Sequence, residues 1–140
     1  MPVPADLAGR TFPPTAPYDV SAAKIAEFSA AVGQPAGPDG QAPPTFPIVV
    51  AFGAMTDLMR DPEVGISLQN VVHADQRFEI TRPVVPGDVL VAELTVDTLR
   101  QRGGADFIGT RSDVTDASGA HVCTAFATLV HRAPEPTDLP

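Results

Sequence analysis

Tryptophan is absent from this chain of 140 residues, which also holds only one cysteine, one tyrosine, and 9 basic against 17 acidic residues. Each shortage excludes something. A single thiol, Cys123, cannot close a disulfide within the chain or furnish a four-thiolate metal site. With one Tyr, no Trp and a net charge of −8, there is no row of stacking aromatics for single-stranded nucleic acid and no general surface for a phosphate backbone. A small anionic ligand stays open, because it needs only one local basic group. Long hydrophobic runs are missing too. The longest, Phe46 to Met55, is about ten residues, against the roughly 20 that a membrane-spanning helix needs. The opening MPVPADLAGR has no basic head and no continuous apolar segment, so no secretory signal is read there and a cytoplasmic protein is expected. No G-x-G-x-x-G, Walker, H-E-x-x-H, C-x-x-C or G-x-S-x-G pattern occurs.

What is present reads as one folded domain with tails. The 44% hydrophobic content is ample for a core, and a chain of this length buries roughly two-thirds of its unfolded surface on folding. The 16 prolines cluster. Five lie in residues 1–17, which are expected to form an extended arm, since proline lacks an amide proton and restricts its neighbour. Three lie in 133–140, expected to be a flexible tail, and four in the linker GQPAGPDGQAPP of residues 33–44, which can hold neither a helix nor a central strand. The single domain is placed at 18–132.

Ser21 is a plausible N-cap for a first helix with Ile25, Phe28 and Val32 as its apolar stripe, ending at Gly33. A second helix starts near Pro47 and runs to Asp61-Pro62. Ile48, Phe52, Met55 and Met59 form its stripe, widened by Val49, Ala51 and Leu58, and it is expected to be the more buried of the two. A local strand at Val49–Phe52 is the alternative. Strand signals follow over Val71–Val84, Val89–Leu99, Ala105–Val114 and Val122–His131, separated by Pro86-Gly87-Asp88, Gly103-Gly104 and Asp116–Gly119. Both faces of the last strand are apolar or small, so it is central or covered on two sides. The order gives an α+β domain, an antiparallel sheet wrapped around a central helix. An apolar outer face would call for a dimer or another partner.

Few residues carry chemistry. His73 and Asp75, two apart on a strand, are expected to share a face, where Asp75 could orient His73 as a general base or merely form a polar patch. A closed metal site needs about four ligands, so none is expected from this pair. Arg82 is a candidate for a phosphate or for a salt bridge with Asp88 or Glu79. Cys123 reads as an inert small hydrophobe, having no base nearby in sequence. His121 and His131 are expected at the surface or at the ends of the last strand.

The segment Ala42-Pro-Pro-Thr-Phe-Pro47 before the buried helix, then Val71-Val-His-Ala-Asp-Gln-Arg-Phe78, Arg82-Pro83, Pro86-Gly-Asp-Val-Leu90 and Asp116-Ala-Ser-Gly119 resemble the MaoC-like hot-dog dehydratases over residues 18–132. The likeness is to the N-terminal-domain or small-subunit type of actinobacterial (3R)-hydroxyacyl-ACP dehydratases. It implies a hot-dog fold, pairing with a catalytic hot-dog subunit or with a second copy, and acyl-ACP or acyl-CoA thioester substrates of fatty acid, sterol or polyketide metabolism. It also implies reversible loss of water from a 3-hydroxyacyl thioester without a cofactor. In that family an Asp and a His between the first and central helices do the chemistry. Residues 33–44 offer Asp39 alone and no His, so the dyad carries over to nothing here.

The expected function is therefore a non-catalytic subunit of a heterodimeric dehydratase, or enoyl hydratase, that lines the acyl channel. Phe52, Met55, Met59 and Arg82 are its candidate substrate contacts. Three alternatives stay open: a homodimeric hydratase using His73 and Asp75, a thioesterase using Asp57, and a non-enzymatic acyl-binding module.

Overall fold

In the computed structural model, residues 3–132 are described. The elements are β1 (Tyr18–Asp19), α1 (Ala22–Val32), α2 (Ile48–Arg60), β2 (Val71–Ile80), β3 (Val89–Arg102), β4 (Ala105–Thr115) and β5 (His121–Arg132). Single 3₁₀ turns occur at Pro38–Gly40 and Leu68–Asn70. Ser21 caps α1 as its spacing predicts, its hydroxyl accepting from Lys24 N–H at 3.0 Å, and Gly33 ends the helix in the left-handed conformation. Ile25 is buried and Phe28 meets Phe46 edge-on, but Val32, in the last turn, is exposed.

The strands form one antiparallel sheet in the order β1-β3-β4-β5-β2. β4 is the middle strand, and β5 is interior, between β4 and the edge strand β2. The β3–β4 hairpin turns at Gly103-Gly104, both at positive φ, which is the two-residue turn that matches strand twist. α2 packs across β3 and β4. Its buried stripe is Val50, Ala51, Ala54, Met55 and Leu58, rotated from the stripe expected of it. Phe52, placed in the core by its spacing, is 49% exposed, and Met59 is only partly buried. The small Ala51 and Ala54 belong to this buried face, and α2 packs mainly on β3. Fully burying Leu58 or Met55 contributes about 1.5–3 kcal/mol each.

Residues 11–17 are extended, but 4–10 make two successive turns, Leu7 N–H donating to Pro4 O and Arg10 N–H to Leu7 O at 3.1 Å each, and the stretch belongs to the core. Val3, Leu7 and Phe12 are buried. The segment runs along β3, with Thr15 N–H donating to Ala92 O (2.9 Å), Phe12 N–H to Leu94 O (2.8 Å) and Gly9 N–H to Val96 O (2.7 Å). The domain therefore begins well before residue 18. This strap covers the β3 edge, whereas β2 has β5 on one side only. The tail expected at 133–140 lies outside the described residues.

The outer face of the sheet is not apolar. Arg111 links Asp97 and Asp113, and Arg77 lies over the Phe126 ring at 4.0 Å and bonds Glu79. That face is already polar, so a cover is not required for it.

Candidate functional site

Two proline-rich stretches meet at the start of α2. Residues 33–44 fold back on the end of β2, tied there by Ala42 N–H to Val84 O at 2.8 Å. Pro cannot donate, so this loop has few amides to satisfy and can lie against apolar groups at little cost. Between them is a cavity of roughly 320 Å³. Its walls are Pro35, Pro43, Pro44, Pro47, Ile80 and Val84, with Gln34, Gln41 and Arg82 as polar members. Arg82 is the only titratable group among the described residues lining it. Asp39, the one acid of the loop, sits exposed on the Pro38–Gly40 turn and is not in the lining.

Arg82 is fixed from outside the cavity. Nη1 and Nη2 donate to the two Asp88 oxygens at 2.9 and 3.2 Å, Nη2 also to Asp116 at 3.0 Å, and Nη1 to Pro83 O. Asp88 in turn accepts from Val85 N–H, closing the β2–β3 turn. The hydrogen bond to Asp88, then that to Asp116, pushes the guanidinium pKa further up. The Asp116 carboxyl is held well below the usual carboxylate range by the Ser118 hydroxyl and by Arg82, with backbone N–H groups of Ala120 and Ser118 adding to this. The salt bridge to Asp88 read from sequence is present; Asp116 is an addition that sequence spacing of 34 residues does not suggest. Two carboxylates already neutralise this arginine, which leaves it a poor free charge for a phosphate.

The shared face expected of His73 and Asp75 does not form. β2 bulges between them, so His73 pairs with Leu129 and Asp75 with Thr128. Consecutive residues of β5 point to opposite faces, so their partners do too. His73 Nε2 bonds Gln76 Oε1 at 3.0 Å instead. The other candidates are scattered. Met55 is core, Phe52 is exposed, and neither they nor Met59 line the cavity. Asp57 is exposed on α2. Cys123 is buried, and burial first, then Asp113, pushes its thiol up to about 11, consistent with an inert thiol.

His131 stands at the end of β5, one of its two expected places, but not at the surface. It is fully buried, held through Nδ1 to Asp106 Oδ2 at 3.0 Å and through Nε2, which accepts from Ser67 N–H at 3.1 Å. A strand-end position hides this, because the covering loop comes from 64 residues away. His121 is exposed, as expected, and bonded to Thr81 and Thr124.

Known proteins are similar to this chain in sequence and in fold. The family model described as the FAS1-like dehydratase domain region matches residues 6–125. A UPF0336 protein of Leifsonia xyli is 44% identical over an alignment of 148 positions that takes in 96% of this chain and 99% of its own. A chain of the HadBC (3R-hydroxyacyl-ACP dehydratase) complex of Mycobacterium tuberculosis superposes with a TM-score of 0.76 at 29% identity, over 90% of this chain and 98% of that one. A MaoC-like dehydratase superposes with a TM-score of 0.78 at 25% identity, covering 91% of this chain and 43% of the other. The sheet curled around α2 is thus the hot-dog fold of MaoC-like dehydratases, and the chain belongs to the FAS1-like dehydratase family.

Proposed function

We propose that this chain is the non-catalytic, channel-forming subunit of a cytoplasmic heterodimeric (3R)-hydroxyacyl-thioester dehydratase, acting in either direction on acyl-ACP or acyl-CoA substrates. The observation that carries the reading is the cavity at the start of α2, which holds apolar walls and no acid–base pair. Removing a proton from carbon 2 and protonating the departing hydroxyl need positioned titratable groups. A locked arginine supplies neither. The cavity suits an acyl segment, and the partner hot-dog subunit brings the acid and base. The ten-residue β2 edge gives that partner a strand to pair with, and an open edge of this length is normally covered.

The homodimeric reading through His73 and Asp75 loses its geometric ground at the bulge. Phe52 and Met59, half-exposed on α2, remain available to the partner or to the acyl chain it shares. The test is purification of the chain alone and co-expressed with a catalytic hot-dog chain, followed by enoyl-thioester hydration. The account expects a stable pair that is active and a lone chain that is not. A lone chain as active as the pair overturns it.

A further inference from the structure

On the outer face, where β2 ends and β5 begins, four side chains form a directed hydrogen-bond relay. Thr124 Oγ1 donates to Asp113 Oδ1 at 3.0 Å. That uses the one proton of Thr124, so its oxygen accepts from His121 Nε2–H, 2.7 Å away. A neutral His121 then has its lone pair on Nδ1, and Thr81 Oγ1, at 2.6 Å, donates to it. Asp113 thus sets the direction of the whole series. Thr81 and His121 are both exposed, while Thr124 is buried.

The relay is not needed to close the sheet. Thr81 N–H and Arg82 N–H already both donate to Val122 O, at 2.9 and 3.3 Å. A hydroxyl bonded to an imidazole that a third group orients is the arrangement of an activated nucleophile. We propose that this is a second chemical site, independent of the cavity, in which Thr81 Oγ1 accepts an acyl group from an activated ester or thioester with His121 as general base.

Thr81 Oγ1 attacks the carbonyl carbon and its proton passes to His121 Nδ1. The bond from that carbon to the leaving oxygen or sulfur breaks, and the leaving group takes the proton. Water then adds to the acyl-threonine while His121 takes a proton from it. The carbon–Oγ1 bond breaks, a carboxylic acid leaves and Thr81 recovers its proton. The two backbone N–H groups at this position are spent on Val122 O, so the site has general-base assistance without an oxyanion hole.

The test is p-nitrophenyl acetate with the full chain. Background from other side chains is limited: Lys24 is the only lysine, Cys123 and His131 are buried, and the exposed imidazole of His73 is removed by carrying His73→Gln in every protein compared. General-base assistance supplies about 10²–10⁴ in rate, so p-nitrophenolate release is expected to fall about tenfold or more in Thr81→Val and in His121→Gln, and to stay within about threefold of wild type in Thr81→Ser. Wild-type release by either Thr81→Val or His121→Gln overturns the proposal. Acetyl mapped to Thr81 by mass spectrometry in the quenched wild-type reaction supports it.

Discussion

His131 Nδ1 and Asp106 Oδ2 lie 3.0 Å apart with both side chains buried, joining the ends of β4 and β5. Because Ser67 N–H donates to Nε2, the proton of a neutral His131 sits on Nδ1 and points at Asp106. The other Asp106 oxygen accepts from Gln101 Nε2 at 2.8 Å, and the same amide reaches Val3 O at 3.2 Å. One buried pair therefore gathers the N-terminal strap, β3, β4, β5 and the loop before β2.

Asp106→Ala leaves His131 Nδ1–H and the Gln101 amide short of an acceptor. A lost buried hydrogen bond to a charged group costs about 1.5–3 kcal/mol, so a fall of that size is expected in urea unfolding. A change below about 0.5 kcal/mol, the range of ordinary surface substitutions, contradicts the role given to the pair.

Asp116 has its pKa lowered in the fold by Ser118 first and Arg82 second. A depressed carboxyl contributes stability that is complete above its unfolded value, near 3.8, and is lost as pH falls toward the folded one. Asp116→Asn is therefore expected to flatten the acid side of a stability–pH curve below about pH 4. A variant curve parallel to wild type through that window would speak against it.

Cys123, with its thiol raised to about 11, is protonated and covered at pH 8. Iodoacetamide is expected to leave it unmodified in the native chain and to label it in urea. Native labelling at the denatured rate would show that β5 is not packed as described.

Gly109 on β4 faces Thr98 across the β3 bulge, and a Cβ there would run into Thr98 Oγ1. Gly109→Ala is expected to cost about 1–3 kcal/mol, as overpacking does. Adding Thr98→Ala should recover most of it. Additive losses in the double variant would mean that the two positions do not meet.

Much of the fold is legible in the chain because it rests on local signals. Ser21, Gly33, Pro47 and Asp61-Pro62 mark both helices, and alternation with Gly103-Gly104 marks the hairpin. What escapes is set by contacts distant in sequence. The α2 residues allow two neighbouring stripes, and only the position of β3 selects Val50, Ala54 and Leu58 over Phe52. The bulge that parts His73 from Asp75 is a matter of pairing with β5, which two-residue spacing cannot reveal. Val3, Leu7 and Phe12 are apolar residues in a proline-rich stretch, where no helical or strand period announces burial. In the site, the absence of a dyad from residues 33–44 is plain in sequence, whereas the partners of Arg82 and His131 come from turns and strands far along the chain.

The most direct measurement follows the absorbance of an enoyl thioester during hydration by the co-expressed complex, with His73→Ala, Asp75→Asn and Asp39→Asn introduced one at a time in this chain. The account predicts a kcat within about threefold of the unmodified complex for all three, since none of them performs the chemistry. General acid–base groups contribute about 10²–10⁴, so a loss of 100-fold or more in any one variant that still forms the complex would place the hydration chemistry in this chain and contradict the account.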